Sequence, residues 1–214
     1  MPKMLDLFCG TKSMANAFEV AGWEVYTVDW DESFNPTLCA DIGSLTKEDI
    51  IELCGGVPDV VWMSPDCTTY SVAAVRYHRE KTATDDLKPK SEYAIKCDEV
   101  NTHIINTIIN EVKPRYWFIE NPRGCMRKMG FMKGLPRYTV TYCQYGDTRM
   151  KPTDIWTNHS DPQFKPPCKN GAPCHTAAPR GSSTGTQGLK NKKERSRIPE
   201  ALCKHIAEIS KEEE

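Results

Sequence analysis

The chain has no apolar run of membrane-spanning length, and Met1-Pro2-Lys3 opens straight into a strand pattern, so no secretory leader is expected. These features set the expectation of a cytoplasmic protein with no transmembrane helix and no membrane partner. Internal repeats are missing, which excludes a solenoid. Disulfide patterning is missing too: the ten cysteines are scattered, mostly within apolar segments, and read as free thiols in a reducing compartment. At 214 residues the chain is expected to form one domain, at most with a small insertion, and to act as a monomer.

Net charge is nearly absent, at −1, but the total conceals a division. Residues 1–112 carry 9 Lys/Arg against 19 Asp/Glu. Residues 113–199 carry 17 against 5, and the last fifteen carry 2 against 5. A basic half borne by an acidic one is the footprint of a protein that holds a phosphate backbone.

The most informative stretch is Val60-Val61-Trp62-Met63-Ser64-Pro65-Asp66-Cys67-Thr68-Thr69-Tyr70-Ser71. An apolar run broken by proline reads as a buried strand entering a loop. Ligands in open α/β sheets collect beyond the carboxyl ends of strands, so Cys67 stands where a nucleophile would. A cysteine is more often a small buried hydrophobe. Its polar neighbours and the cations Arg76, His78, Arg79 and Lys81, which would favour a thiolate, set Cys67 apart.

Before it, Leu5-Asp6-Leu7-Phe8 reads as a strand and Cys9-Gly10-Thr11 as a turn. A helix follows from about Lys12, then a second strand ending in Asp29. Strand, glycine turn, helix, strand, acid is the order of a nucleotide-type cofactor site, although Asp29 alone reads equally well as a solvated strand-end charge. Later come a short strand near Leu38 running into Asp41-Ile42, a helix from about Lys47 to Cys54, and a loop without periodicity over 68–90. Ser91 caps a helix with Ile95, Val100, Ile104, Ile105, Ile108 and Val112 on its apolar face. Tyr116–Ile119 is a buried strand delivering Glu120-Asn121-Pro122. Two alternating stretches, 137–143 and 153–157, form an antiparallel pair, and a last helix runs through Ile209. The expected fold is α/β, a mostly parallel sheet with an antiparallel edge strand. Residues 160–194, rich in Pro, Gly, Ser and Lys, form a loop-built insertion between 1–159 and 195–214.

These residues resemble the DNA cytosine carbon-5 methyltransferase family. Asp6-Leu7-Phe8-Cys9-Gly10 is similar to its opening cofactor motif, and Pro65-Asp66-Cys67-Thr68-Thr69-Tyr70-Ser71 to its nucleophile motif. Glu120-Asn121-Pro122 is similar to its Glu-Asn-Val, and Arg197-Ile198-Pro199-Glu200 to its closing motif. The resemblance implies a class-I S-adenosylmethionine-dependent, Rossmann-like fold and methyl transfer to a cytosine flipped out of duplex DNA. Cys67 would be the nucleophile, Glu120 would bind ring nitrogen 3 and the amino group, and Asn121 would order the nucleophile loop. Arg149 would contact the target nucleotide. Phe8, Cys9, Gly10, Asp29, Asp41, Ile42 and Pro65 would hold the cofactor, and residues 160–194 would read the target. The compact size suits a phage-like or mobile-element enzyme.

The chain departs from the family pattern at Lys12, where a second glycine is usual, at Asp66 for the second proline, and at Thr68 for glutamine. The arginine motif is reduced to Arg149-Met150-Lys151. RNA as substrate, transfer of a group other than methyl, and an inactive relative that only binds nucleic acid remain open alternatives. Cys168-x5-Cys174-His175 offers three zinc ligands, with His159 or Cys143 as a fourth, but the spacing matches no common four-ligand pattern. The segment is therefore taken as a loop of reduced thiols, with no metal assigned.

Overall fold

The computed structural model describes residues 1–82, 87–177 and 191–211, with the backbone alone at Lys192. The chain forms β1 (Lys3–Leu7), α1 (Ser13–Val20), β2 (Glu24–Asp29), β3 (Leu38–Cys39), α2 (Lys47–Cys54) and β4 (Val60–Met63). A short helix α3 (Val75–His78) leads into a hairpin, β5 (Arg79–Lys81) and β6 (Leu87–Pro89), then α4 (Glu92–Asn106) and β7 (Tyr116–Pro122). It closes with β8 (Arg137–Thr141), β9 (Pro152–Thr157), α5 (Lys192–Ser196) and α6 (Glu200–Ile209).

Seven strands make one sheet in the order β3-β2-β1-β4-β7-β9-β8. β3, β2, β1, β4 and β7 are mutually parallel, and β9 runs antiparallel between β7 and β8. The continuous apolar runs follow from burial on both faces. Leu5, Leu7, Val61, Met63 and Ile119 face Ile50 of α2 and Ile104, Ile105 and Ile108 of the α4 segment. Met4, Val60, Trp62, Phe118 and Ile155 face Met14 and Phe18 of α1 and Leu202 and Ile206 of α6. Each such side chain contributes about 1.5–3 kcal/mol by leaving water.

The antiparallel pair is present, but β8 forms the edge while β9 lies inside the sheet. Ser91 does cap α4, its Oγ accepting from Ala94 N–H at 3.1 Å. Ile95, assigned to the apolar face, is instead exposed, and the helix widens into π-form over Thr107–Val112. Lys113 then takes a left-handed φ of 55° ahead of Pro114. Part of the expected loop over 68–90 is ordered by α3 and the β5–β6 hairpin; residues 83–86 lie outside the described residues. So do 178–190 of the predicted recognition insertion and 212–214 of the tail. No described helix is long and apolar enough to cross a membrane.

Candidate active site

The register brings the sequence-predicted residues to one edge. Leu7 pairs with Val28 and with Met63, and Met63 pairs with Ile119. The residues that follow, Phe8–Gly10, Asp29, Ser64–Cys67 and Glu120–Asn121, therefore emerge side by side at the carboxyl ends of β1, β2, β4 and β7. The chain turns from building outward through β3 to building the other way between β1 and β4, the switch point where open sheets bind ligands. β9 runs the opposite way, with Pro122 beside Thr153, so its beginning also reaches this edge.

The turn after β1 is unusual in its backbone. Phe8, Gly10 and Lys12 all have positive φ, at 60°, 45° and 55°. Lys12 takes its left-handed conformation at a modest cost, about 1–2 kcal/mol for a non-glycine residue, and its Nζ reaches the Asn35 carbonyl. Asp29 binds the turn directly: its Oδ2 accepts from Gly10 N–H at 2.9 Å, and its Oδ1 from Asp31 N–H at 3.0 Å. Asp6 is buried beneath the loop and accepts from Ala15 N–H, and burial lifts its pKa to about 7. Cys9 points inward, and burial pushes its thiol to about 12, so only its backbone faces the loop.

Asp41 is exposed, accepts from Gly43 N–H at 3.0 Å and pairs with Lys96 at 3.4 Å; Ile42 beside it is buried. Trp30, directly after Asp29, is 73% exposed. No motif marks it in the sequence; an aromatic following a strand-end acid is the available signal. Arg197-Ile198-Pro199-Glu200 returns to the start of α1, where Ile198 N–H donates to Ser13 Oγ at 3.5 Å.

The loop that carries Cys67 is held from three sides. Asn121 donates to the Pro65 carbonyl at 3.0 Å, and its own Oδ1 has no hydrogen-bond partner among the described residues. The Tyr70 hydroxyl donates to Asp98 of α4 at 2.7 Å and accepts from Asn101 at 2.8 Å. Arg79 is buried against Asp98 at 2.7 Å, donates to the Thr69 carbonyl at 2.9 Å, and stacks on Tyr70.

This corrects the expected source of positive charge around Cys67. Arg79 is consumed in a structural pair, and His78 is bonded to Ser91 at 2.9 Å. Burial, then Asp66, then Glu120 raise the Cys67 thiol to about 11, and the cation opposing them is Lys151. Lys151 is a residue the sequence passed over in favour of Arg149. It precedes β9, donates to the Arg195 carbonyl at 2.9 Å and lies 4.5 Å from the centre of the Tyr142 ring. Burial lowers its own pKa, offset by Glu120. Arg149 is instead locked against Asp147, with Nε 2.9 Å from its Oδ1, and it also donates to the Arg195 carbonyl.

Glu120 is buried, and burial raises its pKa against the pull of Lys151 and the hydrogen bonds of Tyr142 and Ser64. The Tyr142 hydroxyl donates to its Oε1 at 3.1 Å, and Trp62 Nε1 fixes Ser64 at 2.7 Å. A carboxyl whose pKa burial raises and a largely protonated thiol thus share one strand edge with the Lys151 cation.

Cys67 reactivity should follow these charges. With its pKa raised, the reactive thiolate is scarce near neutral pH and grows as pH climbs toward about 11. Asp66→Asn removes a negative charge beside the thiol and is expected to lower the alkylation midpoint. Lys151→Met removes the cation and is expected to raise it. Iodoacetamide labelling of the Cys67 peptide across pH, read by mass spectrometry, checks both; midpoints unmoved in the two variants would contradict this electrostatic account.

Five parallel strands with an inserted antiparallel strand define a Rossmann-like fold, the fold of solved methyltransferases to which the chain is similar. The chain is similar to a prophage-encoded E. coli protein described as a DNA modification methyltransferase, with TM-score 0.53, 15% identity, and coverage of 73% of this chain and 46% of that one. It is also similar to the Entamoeba histolytica methyltransferase EhMeth, with TM-score 0.52, 14% identity, and coverage of 73% and 52%. It therefore spans about half the length of these neighbours. No protein-family model matches the sequence, and no curated protein matches it significantly.

Proposed function

We propose that the chain methylates carbon 5 of cytosine in DNA through a covalent Cys67 intermediate, using S-adenosylmethionine. The observation that carries this is the convergence of Cys67, Glu120 and Lys151 at the carboxyl edge, next to the Phe8–Gly10 turn and Asp29. The E. coli neighbour, described as a DNA modification methyltransferase, agrees with it.

The donor set fits the proposed cofactor. Each Asp29 oxygen bonds to a backbone N–H and retains a lone pair for a ribose hydroxyl. Asp41 can accept from an adenine amino group, and Gly10 keeps the turn free of a side chain where the donor would approach. Trp30 offers an exposed face on which adenine stacks. Trp30→Ala is expected to raise the KM for the donor roughly tenfold with little change in kcat, since aromatic stacking on a base is worth about 1–3 kcal/mol. Steady-state kinetics at saturating nucleic acid checks this, and an unchanged KM would remove Trp30 from the site.

When bound, S-adenosylmethionine supplies an electrophilic methyl group on a sulfonium. Cytosine carbon 5 is a weak nucleophile until something adds at carbon 6. Cys67 as thiolate forms that bond and sends an electron pair toward ring nitrogen 3. A neutral Glu120 donates its proton to nitrogen 3 and accepts from the exocyclic amino group, which matches both polar atoms of that ring edge. Burial of Glu120 favours this protonated form. Carbon 5 then takes the methyl, with S-adenosylhomocysteine as the leaving group. The carbon 5 proton passes to water or hydroxide as base, Cys67 leaves as thiolate when the carbon 6 bond breaks, and the proton on nitrogen 3 returns to Glu120. The target base must stand outside the duplex stack for this, at a cost of a few kcal/mol. Exposed Arg123, Lys128, Lys133 and Lys169, all in the basic half, offer phosphate contacts.

Incubating the protein with labelled donor and either duplex DNA or folded RNA, then resolving the nucleosides by mass spectrometry, tests the proposal. Methyl gained on deoxycytidine supports it. Methyl gained only on cytidine of RNA moves the same chemistry to the other nucleic acid.

A further inference from the structure

Beyond the strand edge, a second cluster of reactive side chains gathers on the turn between β8 and β9. Cys143 sits in that turn (Tyr142–Tyr145), while Cys168, Cys174 and His175 come from the following irregular segment. One ligand atom from each of the four lies within 4.8 Å of every other. Cys143 Sγ is 3.1 Å from Cys168 Sγ, and His175 Nδ1 is 3.5 Å from Cys168 Sγ and 3.6 Å from Cys174 Sγ. His159, the other fourth ligand considered from the sequence, is elsewhere, stacked on Tyr116 and bonded to the Ile209 carbonyl.

We propose that Cys143, Cys168, Cys174 and His175 form a structural zinc site that fastens the 160–177 segment to the β8–β9 turn. Tetrahedral zinc, with Zn–S near 2.3 Å and Zn–N near 2.0–2.1 Å, sets sulfur and nitrogen ligands about 3.5 Å apart, close to the two S···N separations observed. The Cys143–Cys168 separation is far beyond the roughly 2.05 Å of a disulfide and opens toward tetrahedral spacing with a small rotation of either side chain. Four protein ligands, three of them sulfur, leave no open position, which is the donor set of a structural site rather than a catalytic one.

The surroundings agree. Gln144 Nε2 donates toward Cys174 Sγ at 3.7 Å, and Cys168 N–H is anchored on Thr141 Oγ1 at 2.9 Å. Gly171 N–H makes a long 3.4 Å contact with His175 Nε2, which is given up when Nδ1 binds the metal and Nε2 carries the proton. Three thiolates and one zinc leave a charge of −1 that the exposed Lys165 and Lys169 offset. Residues 161–169 have no regular secondary structure and place almost nothing in the core, so a cross-link is the natural way to order them. The consequence reaches the strand edge, because Tyr142, next to Cys143, donates to Glu120 and carries Lys151 over its ring.

Binding converts three thiols to thiolates and releases their protons, so occupancy falls as pH drops. The test is metal analysis of the full chain, expressed with added zinc and purified under reducing conditions. About one zinc per chain is expected, with at least a tenfold loss in Cys168→Ser/Cys174→Ser and no loss in Cys39→Ser, an exposed cysteine away from the cluster. Cobalt exchanged into the wild type should show tetrahedral d–d bands and thiolate charge transfer. Wild-type protein holding less than about a tenth of an equivalent of zinc and giving no such spectrum would overturn the site. So would a Cys143–Cys168 disulfide found by mass spectrometry. None of these readouts depends on methyl transfer.

Discussion

Replacing Cys67 with alanine is expected to lower cytosine methylation by at least about 10⁴-fold while donor and nucleic-acid binding stay within a few-fold of wild type. The size of the effect follows from the chemistry. Without addition at carbon 6, carbon 5 keeps its aromatic electron demand and has no route to the methyl group. Binding survives because Cys67 is one small side chain in a loop fixed elsewhere, by Asn121 on Pro65 and by Tyr70 and Arg79 on Asp98. The same geometry gives a pH signature. With the thiol raised to about 11, the wild-type rate under subsaturating substrate should climb through the neutral and alkaline range as the thiolate fraction grows. Nucleoside mass spectrometry for the rate and equilibrium binding of a labelled duplex separate chemistry from affinity. A variant that keeps more than a tenth of the activity would remove Cys67 from the reaction.

Glu120 carries the second large effect, and two substitutions divide its roles. Glutamine still accepts from the exocyclic amino group and can donate an N–H to ring nitrogen 3, but it has no proton to give up. Glu120→Gln is therefore expected to bind cytosine-containing DNA nearly as wild type and to lose about 10²–10³-fold in kcat. Glu120→Ala loses the pairing as well, so both kcat and affinity for the flipped base fall. Its buried place, with Tyr142 on one oxygen and Lys151 nearby, makes this electrostatic contribution large because little water screens it. Single-turnover rates at saturating DNA distinguish the cases. Equal rates for wild type and Glu120→Gln would mean that no proton is transferred from this residue.

Much of this site could be read from the sequence because parallel strands advertise themselves. A strand covered on both faces must be apolar throughout, so the first polar residues after Val60–Met63 and Tyr116–Ile119 mark the carboxyl edge directly. Asp29 was legible for the same reason. Lys151 was not, because nothing local says that β9 inserts between β7 and β8 and so returns the chain to that edge. Arg149 matched the arginine motif by position, and the structure pairs it with Asp147, two residues away. Arg79 looked available to the thiol until α4 brought Asp98 across a separation of 19 residues. The metal-type cluster was half visible: Cys168, Cys174 and His175 are near in sequence, whereas Cys143 joins them only through the β8–β9 turn. Apart from the local Asp147–Arg149 pair, the missed partner comes from a tertiary contact, not from periodicity.

The most direct test of the central claim is a duplex carrying 5-fluorocytosine at target positions, incubated with donor and protein. Carbon 5 then bears fluorine where a proton must leave, so the reaction should halt after methyl addition with the protein still joined to DNA. The account predicts a denaturation-resistant complex with one methyl on the trapped base, its cross-link mapping to the Cys67 peptide and absent from Cys67→Ala. Methyl transfer to ordinary cytosine with no trapped complex on the fluorinated duplex, or a cross-link at another residue, would contradict it.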